Sequence, residues 1–297
     1  MGEKVFNLDS AQVLRSFTRA AGTYAQAAVV PREVGRRMAE RLEYIRHQPA
    51  RVLDAGAGTG EDLTLLRQRY PRAELIGLDI AQAMLRQARR AGSLVDRVLS
   101  RIIGRQEQLV CGDFLSLPLK SASIGMVWSN LALAWTAEPL AALREFHRVL
   151  SSGGLVMFST YGPDTLKELK AAFGGEGPRH VHSFIDMHDL GDMLVASGFE
   201  APVMDMEKIT LTYSGVEALA RDLKASGQTC AASDRPRGLT GPGGWRRMLA
   251  AYERDRGNGR FPATIEVVYG HAWKGRPRVA ADGKQVVQFD FKSRKGR

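Results

Sequence analysis

Residues 51–60 read Arg-Val-Leu-Asp-Ala-Gly-Ala-Gly-Thr-Gly, and this stretch decides the fold. Residues 51–54 predict a short apolar strand that runs directly into a loop containing three glycines. Glycine permits a sharp turn and lets the backbone approach a ligand closely. The stretch therefore predicts a buried strand whose carboxyl end carries a ligand-binding loop.

Apolar strands and helices alternate on the carboxyl side of this loop. Strands are predicted at residues 51–54, 74–79, 108–113, 124–128 and 155–159, and helices at 62–70, 81–91 and 139–150. Near-continuous apolar strands that alternate with helices are typical of a parallel sheet covered on both faces. The sequence thus predicts a Rossmann-like, doubly wound α/β fold.

The chain beyond residue 160 completes the sheet less regularly. Helices are predicted at 163–173 and 186–197, and strands at 203–213 and 264–273, so the mostly parallel sheet should have seven strands. The long excursion between the last two strands predicts a helical cap that includes a loop at 234–244.

The amino-terminal residues have a helical pattern of apolar side chains. This pattern predicts one helix that ends near Pro31 and a second that begins there and continues to Arg46. The predicted organisation is an amino-terminal helical segment covering the ligand site (1–46), an α/β core (47–213), a helical cap (214–263), a last core strand (264–273) and a basic, partly disordered tail (274–297).

Three acidic residues each end a predicted strand: Asp54, Asp79 and Asp113. Open α/β sheets bind ligands at the carboxyl ends of their strands, near the point where the strand order reverses. We therefore expect all three acids to line one crevice. Each could alternatively cap the helix that follows it.

The glycine loop also discriminates between ligands. A nicotinamide dinucleotide loop has a third glycine where this chain has Glu61, and Glu61 with Asp62 brings negative charge to a helix start that would have to bind pyrophosphate. An amino acid bearing a sulfonium tolerates that charge. The pattern Asp-x-Gly-x-Gly-x-Gly, with an acid after the next strand, resembles the motifs of class I methyltransferases, which implies S-adenosylmethionine as the cofactor.

Candidate cofactor-binding residues follow from these positions. Asp79 is placed to accept both ribose hydroxyls, and Asp113 with Phe114 could contact the adenine. The full set of candidates is Asp54, Gly56, Gly58, Gly60, Asp79, Ile80, Asp113, Phe114, Asn130 and Trp135. No metal ligand is expected, because the histidines lack zinc spacing on a helix face.

Composition restricts the setting and the partner. The chain has 297 residues and a formal charge of +10, which favours an acidic partner. Basic residues concentrate in the arginine-rich segment 86–105, a candidate docking surface, and in the tail from Lys274. Two cysteines, Cys111 and Cys230, make no disulfide framework, so we expect a cytoplasmic protein. No apolar stretch is long enough to cross a bilayer.

The sequence argues against nucleic acid as the methyl acceptor. Residues 129–133 read Ser-Asn-Leu-Ala-Leu instead of the Asn-Pro-Pro-Tyr clamp used for adenine. Neither Cys111 nor Cys230 follows a proline, as a cytosine-methylating cysteine commonly does. A phosphate-tracking role for the basic tail stays open.

Several segments resemble the malonyl-acyl-carrier-protein O-methyltransferases of biotin synthesis. They are residues 17–24 (Phe-x-x-Ala-Ala-x-x-Tyr), 129–135, 158–166, 180–191, 202–207 and 269–273. The resemblance covers about residues 10–273 and omits 92–107 and the tail. Complex I assembly factors that modify protein arginine share this architecture, but the segments at 162–166 and 186–189 favour the biotin-pathway family.

This resemblance implies methyl transfer to the free carboxyl of a malonyl thioester. The implied partner is malonyl-bearing acyl carrier protein, with malonyl-CoA as the alternative, and an acidic carrier would suit a basic surface. A carboxylate is already ionised at neutral pH, so no general base is expected, and positioning with water exclusion suffices. Candidates for holding the carboxylate are Tyr24, Tyr213, Arg221 and Lys224. The alternative is a methyltransferase or cofactor-binding assembly factor that acts on protein or RNA.

Overall fold

The computed structural model describes residues 7–91, 107–174 and 179–275. A seven-stranded sheet has the order β3-β2-β1-β4-β5-β7-β6. Its strands are β1 (Arg51–Ala55), β2 (Glu74–Asp79), β3 (Gln108–Cys111), β4 (Ile124–Ser129), β5 (Leu150–Tyr161), β6 (Phe199–Tyr213) and β7 (Phe261–Lys274). The first five are parallel, and β7 is antiparallel to both β5 and β6. The predicted Rossmann-like, mostly parallel sheet is therefore confirmed.

Ten α-helices occur in the described part of the chain. They are α1 (Ser10–Ala20), α2 (Tyr24–Ala27), α3 (Val29–Arg41), α4 (Glu61–Arg69), α5 (Gln82–Ala91), α6 (Pro139–Val149), α7 (Lys167–Ala172), α8 (Met187–Ala196), α9 (Val216–Ala225) and α10 (Pro242–Tyr252). None of the helices described is long and apolar enough to traverse a lipid bilayer.

The central strands are buried on both faces, which explains their continuous apolar sequences. Val52 and Met126 belong to the hydrophobic core on one face of the sheet, and Leu53 and Val127 to the core on the other. Successive side chains of a strand point to opposite faces, so each strand needs apolar residues at every position to fill both cores.

The amino-terminal helices differ from the prediction. The helical conformation is interrupted after Ala20 and again at Ala28, so three helices replace the predicted two. Pro31 lies in the first turn of α3. A first turn tolerates proline because its N–H groups have no intrahelical acceptor. At the first break Thr23 Oγ1 donates to the carbonyl of Ala225, 2.7 Å away, and so ties the bend to α9. Because of this interruption, Tyr24 begins the separate short helix α2.

The segment before the last strand is also shorter than predicted. β7 begins at Phe261, inside the predicted cap 214–263, and α10 begins at Pro242, inside the predicted loop 234–244. Proline at the first helical position explains that start, because its missing N–H costs nothing there. Two predicted features, most of the arginine-rich segment (92–106) and the tail from residue 276, lie outside the described residues.

The strand order places the ligand site. β1 pairs with β2 on one side and with β4 on the other. After β1 the chain adds β2 and then β3 toward one edge of the sheet, and it then crosses back to place β4 on the opposite side of β1. Such a reversal leaves a crevice at the carboxyl ends of the two strands. The loops after β1, β2, β3 and β4 all open at this edge.

Candidate functional site

The glycine loop is held against the end of β2 by backbone hydrogen bonds. The N–H groups of Gly56 and Ala57 donate to the carbonyl of Leu78 at 2.8 and 2.9 Å. Gly58 N–H donates to Asp79 Oδ2 at 2.9 Å. Gly56 has φ of +95° and Gly58 +52°, the left-handed region that favours glycine. The loop is thereby fixed before any ligand arrives.

Two other segments close around this loop. A Cβ added to Gly56 would lie 2.3 Å from the Cβ of Ala132, in the segment after β4. A Cβ on Gly58 would lie 3.8 Å from Tyr24 Cε1 of α2. The glycine loop, the segment after β4 and the amino-terminal helices therefore enclose one cleft.

The cleft has an empty volume of about 870 Å³, including open solvent at its mouth. This size suits a small-molecule ligand. Nine predicted site residues line it: Tyr24, Gly56, Gly58, Asp79, Ile80, Asp113, Phe114, Asn130 and Trp135. Sequence reasoning missed other lining residues, among them Phe17, Ala132 and Gln228. Phe17 begins the segment 17–24, which could have signalled it, whereas Gln228 follows α9 without any motif.

Asp54 and Gly60 were expected in the cleft but do not line it. Asp54 lies beneath the loop and is 1% exposed. Gly60, at φ +83°, caps the start of α4. The expectation that three strand-ending acids line one crevice is thus met by Asp79 and Asp113, whereas Asp54 points into the protein because it belongs to the strand itself.

Asp54, Asp62 and Asp79 form an acid cluster beneath and beside the loop. Burial raises the pKa of Asp54, and the nearby Asp62 and Asp79 raise it further. Burial raises the pKa of Asp62 to about 6, although Trp128 Nε1 donates to its Oδ2 at 2.9 Å. Burial also raises the pKa of Asp79. Among the described residues no lysine or arginine forms an ion pair with any of the three.

The acid cluster fits a cationic ligand and opposes a pyrophosphate. Neither carboxylate oxygen of Asp54 has a hydrogen-bond partner within the described ranges. A buried carboxyl without a partner is costly, and a positive charge nearby reduces that cost. Glu61 adds less negative charge at the start of α4 than its position in the sequence suggested, because Arg32 forms an ion pair with it at 3.2 Å.

Asp79 and Asp113 both organise backbone and face the cleft. Asp79 Oδ1 accepts the N–H of Ala81 at 2.7 Å, and Asp113 Oδ1 accepts that of Leu115 at 2.9 Å. An ionised carboxylate has about four acceptor sites, so both acids keep capacity for a ligand. The capping alternative is wrong for Asp113, because no helix lies between β3 and β4 in the described chain, whereas Asp79 contacts the residue just before α5.

Asn130 and Trp135 occupy opposite ends of the segment after β4. Asn130 Nδ2 donates to the carbonyl of Pro31 at 2.8 Å, and Ser159 Oγ donates to Asn130 Oδ1 at 2.8 Å. Trp135 packs edge-on against Phe17, with ring centroids 5.1 Å apart. Asn130 thus locks α3 to the sheet, and Trp135 forms an aromatic wall of the cleft.

A second chamber adjoins the cleft across Trp135 and Gln228, which line both. Its empty volume is about 740 Å³, again including open solvent. Its walls include Tyr161, His182 and Leu223, and none of the described residues that line it is an aspartate or glutamate. Tyr161 Oη donates to Gln228 Oε1 at 2.8 Å, which orients the Gln228 amide at the junction.

The four predicted carboxylate-holding residues are not brought together. Tyr24 lines the cleft, and burial with nearby acids raises its pKa well above 10, so its hydroxyl stays protonated. Tyr213 lines neither cavity; burial raises its pKa to about 12, with Asp222 beside it adding to the shift. Arg221 and Lys224 are exposed on α9, whose Ala220 and Leu223 face the second chamber instead.

Relatives with known names match nearly the whole chain. A model of the methyltransferase domain matches residues 53–158. A malonyl-[acyl-carrier protein] O-methyltransferase of Laribacter hongkongensis is 55% identical over 96% of this chain and 97% of the relative. Another, from Gallionella capsiferriformans, is 49% identical over 97% and 98%. These names favour a carboxyl methyltransferase over the assembly-factor alternative.

Solved structures support the fold independently. The YcgJ protein of Bacillus subtilis aligns with a TM-score of 0.55 at 17% identity, covering 82% of this chain and 99% of that one. A Bacillus halodurans protein described as a methyltransferase aligns at 0.54 and 14% identity, covering 80% and 97%. The site geometry agrees with the sequence identity to these relatives over nearly the full length of the chain. The chain therefore belongs to the malonyl-[acyl-carrier protein] O-methyltransferase family and has a class I methyltransferase fold.

Proposed function

We propose that this chain uses S-adenosylmethionine to methylate the free carboxyl of malonyl-acyl carrier protein, the step that opens pimelate synthesis for biotin. One observation carries the proposal beyond family membership. A cleft lined by Asp79 and Asp113, with Asp54 and Asp62 buried near Asp79, suits a cation. It adjoins, at Trp135 and Gln228, a chamber whose described lining has no carboxylate and suits an anionic or neutral acyl group. The two free thiols fit a reducing, cytoplasmic location, which is part of the proposal.

The residues of the chain supply binding and orientation. S-Adenosylmethionine, when bound, supplies a methyl group on a positively charged sulfur. Gly56, Gly58, Asp79 and Asp113 line the cleft that would hold it, and the carboxyl groups of Asp79 and Asp113 would face its charge. Gln228 Nε2 at the junction and Tyr24 Oη in the cleft are neutral donors that would orient a carboxylate without neutralising it. The aromatic wall formed by Phe17 and Trp135 keeps water from the carboxylate.

Incubation with methyl-labelled S-adenosylmethionine and malonyl-carrier tests the function. We expect label in a base-labile methyl ester on the carrier. Acetyl-carrier, which lacks the free carboxyl, is the matched control and should stay unlabelled. Label that appears only in bulk RNA or protein would overturn the proposal.

Tyr24→Phe should lower kcat/KM for malonyl-carrier about 10-fold while leaving cofactor affinity unchanged. The substitution removes one hydrogen-bond donor to the carboxylate and keeps the ring against Phe17. Steady-state kinetics measure the first quantity, and calorimetry measures the second. An equal loss of cofactor affinity would reassign Tyr24 to the cofactor.

Arg221→Ala and Lys224→Ala should each raise KM for malonyl-carrier several-fold, most strongly at low salt. Both side chains are exposed, and among the described residues neither forms an ion pair, so they are available to an acidic carrier. Malonyl-pantetheine lacks the protein and should be methylated equally well by wild type and variants. A matching loss on that substrate would show instead that the pair holds the carboxylate.

Cofactor affinity should rise with pH, up to about 10-fold between pH 5 and 7. The carboxyl of Asp62, with a pKa of about 6, is neutral below this range and negative above it, so it attracts a cation only at the higher pH. In the unliganded protein the raised pKa has the opposite effect, and stability is lost as pH rises through about 6. Calorimetry on wild type and Asp62→Asn checks the claim, because the variant should show a weaker dependence. An identical profile in both proteins would exclude Asp62 as the source.

A further inference from the structure

His182 presents a buried, unsatisfied nitrogen to the second chamber. The side chain is 5% exposed and lines the chamber wall. Its ring lies between Trp135, with centroids 4.9 Å apart, and Phe184, at 4.5 Å. Nε2 has no hydrogen-bond partner within the described residues. Buried polar atoms are normally satisfied, so this one calls for a ligand atom.

The protonation state of His182 determines which ligand atom that is. The backbone of Ala134 raises the pKa of the ring, as a carbonyl acceptor facing a ring N–H does, and Nε2 is the nitrogen without a partner in the described ranges. Burial lowers the pKa of His182 to about 4, so the ring is neutral at physiological pH. A neutral imidazole has one donor and one acceptor nitrogen, and Nε2 is therefore the acceptor. The complementary ligand group is a donor, such as an amide N–H.

We propose that the second chamber binds the pantetheine arm of the thioester substrate, with His182 Nε2 accepting the arm's first amide N–H. This rests on the proposed function, which places the malonyl carboxyl at the junction with the cleft. A malonyl group contains only acceptors, and its thioester sulfur leads within a few bonds to an amide N–H. The apolar walls around Leu223 and Ile265 suit the methylene groups between them.

The hydroxyl groups of the other chamber residues already have partners. Tyr161 bonds Gln228, Thr165 Oγ1 donates to the carbonyl of Glu266 at 3.0 Å, and Thr229 Oγ1 lies 2.9 Å from Ser16 Oγ. His182 is thus the residue of the chamber whose buried polar atom lacks a partner in the described ranges. A specific amide contact at this point would align the thioester and, through it, the carboxyl.

A substrate pair that differs in this one N–H tests the contact. Malonyl-N-acetylcysteamine carries the amide, and malonyl S-(4-oxopentyl) thioester replaces the N–H by a methylene and keeps the neighbouring carbonyl. The readout is the ratio of kcat/KM for the amide substrate to that for the ketone substrate. We expect a ratio of about 10 in the wild type and about 1 in His182→Phe, which keeps an aromatic ring between Trp135 and Phe184. His182→Gln, which restores an acceptor near Nε2, should recover part of the ratio.

The outcomes separate this inference from the proposed function. An unchanged ratio in His182→Phe, including a ratio of about 1 in both proteins, overturns the inference alone. Failure of the wild type to methylate either thioester overturns the proposed function and this inference with it. Wild-type cofactor affinity in His182→Phe verifies that the variant is folded. Because carrier and coenzyme A share the arm, malonyl-carrier and malonyl-CoA should lose activity by the same factor in this variant.

Discussion

Gly56→Ala should destabilise the protein by about 3 kcal/mol or more, a large part of the 5–15 kcal/mol that holds a typical domain folded. The new Cβ would lie 2.3 Å from the Cβ of Ala132, and neither atom can move without its backbone. Gly56 also has φ of +95°, where alanine is strained. Urea denaturation of the unliganded protein measures the loss. Cofactor binding should weaken too, because the loop and the segment after β4 must separate.

Gly58→Ala is the matched control in the same loop. A Cβ there would lie at an ordinary contact distance of 3.8 Å from Tyr24 Cε1. Alanine adopts a φ of +52° at a cost of about 1–2 kcal/mol. The smaller loss should separate backbone strain from the clash with Ala132. Equal losses in the two variants would show that the contact between the loop and Ala132 does not limit stability.

Asp79→Ala should weaken S-adenosylmethionine binding about 100-fold or more. The carboxylate accepts the N–H groups of Gly58 and Ala81 and faces the cleft, so its removal releases the loop and takes away acceptors for the ribose. Hydrogen bonds to a charged group contribute about 1.5–3 kcal/mol each. Calorimetry measures the affinity directly.

Asp79→Asn refines this measurement because its amide keeps one acceptor oxygen without the charge. We expect a smaller loss, about 10-fold, and a thermal midpoint near that of the wild type. Wild-type affinity in the alanine variant would remove Asp79 from the cofactor site.

The α/β core was predictable because its signals are local. Buried parallel strands need apolar side chains on both faces, so the apolar runs at residues 51–54 and 74–79 predict strands from the local sequence alone. The crevice followed from the strand-ending acids. Element ends were less accurate: β6 and β7 extend beyond their predicted bounds, because their pairing with each other, and not their own composition, determines their length.

Candidates on helices outside the core were predicted less well. Arg221 and Lys224 are one turn apart in sequence, and their exposure depends on which face of α9 packs inward through Val216 and Leu219. Tyr24 is in the cleft because the helix is interrupted before it, at Thr23. This interruption is stabilised by the hydrogen bond from Thr23 to the carbonyl of Ala225, 202 residues away in the sequence. Gln228 lies in none of the recognised segments, and segment 180–191, which contains His182, resembled the family without indicating that it lines a chamber.

The sequence by itself determined the sheet, the glycine loop and the family, since these depend on side-chain periodicity and on residues that are consecutive in the chain. Only the tertiary structure decided that Asp54 lies beneath the cleft, that it forms a cluster with Asp62 and Asp79, and that the adjoining chamber has no carboxylate among its described lining residues. The physical reason is burial. Desolvation and unsatisfied hydrogen-bonding groups arise from residues distant in sequence, and they give the acid cluster and His182 their chemistry.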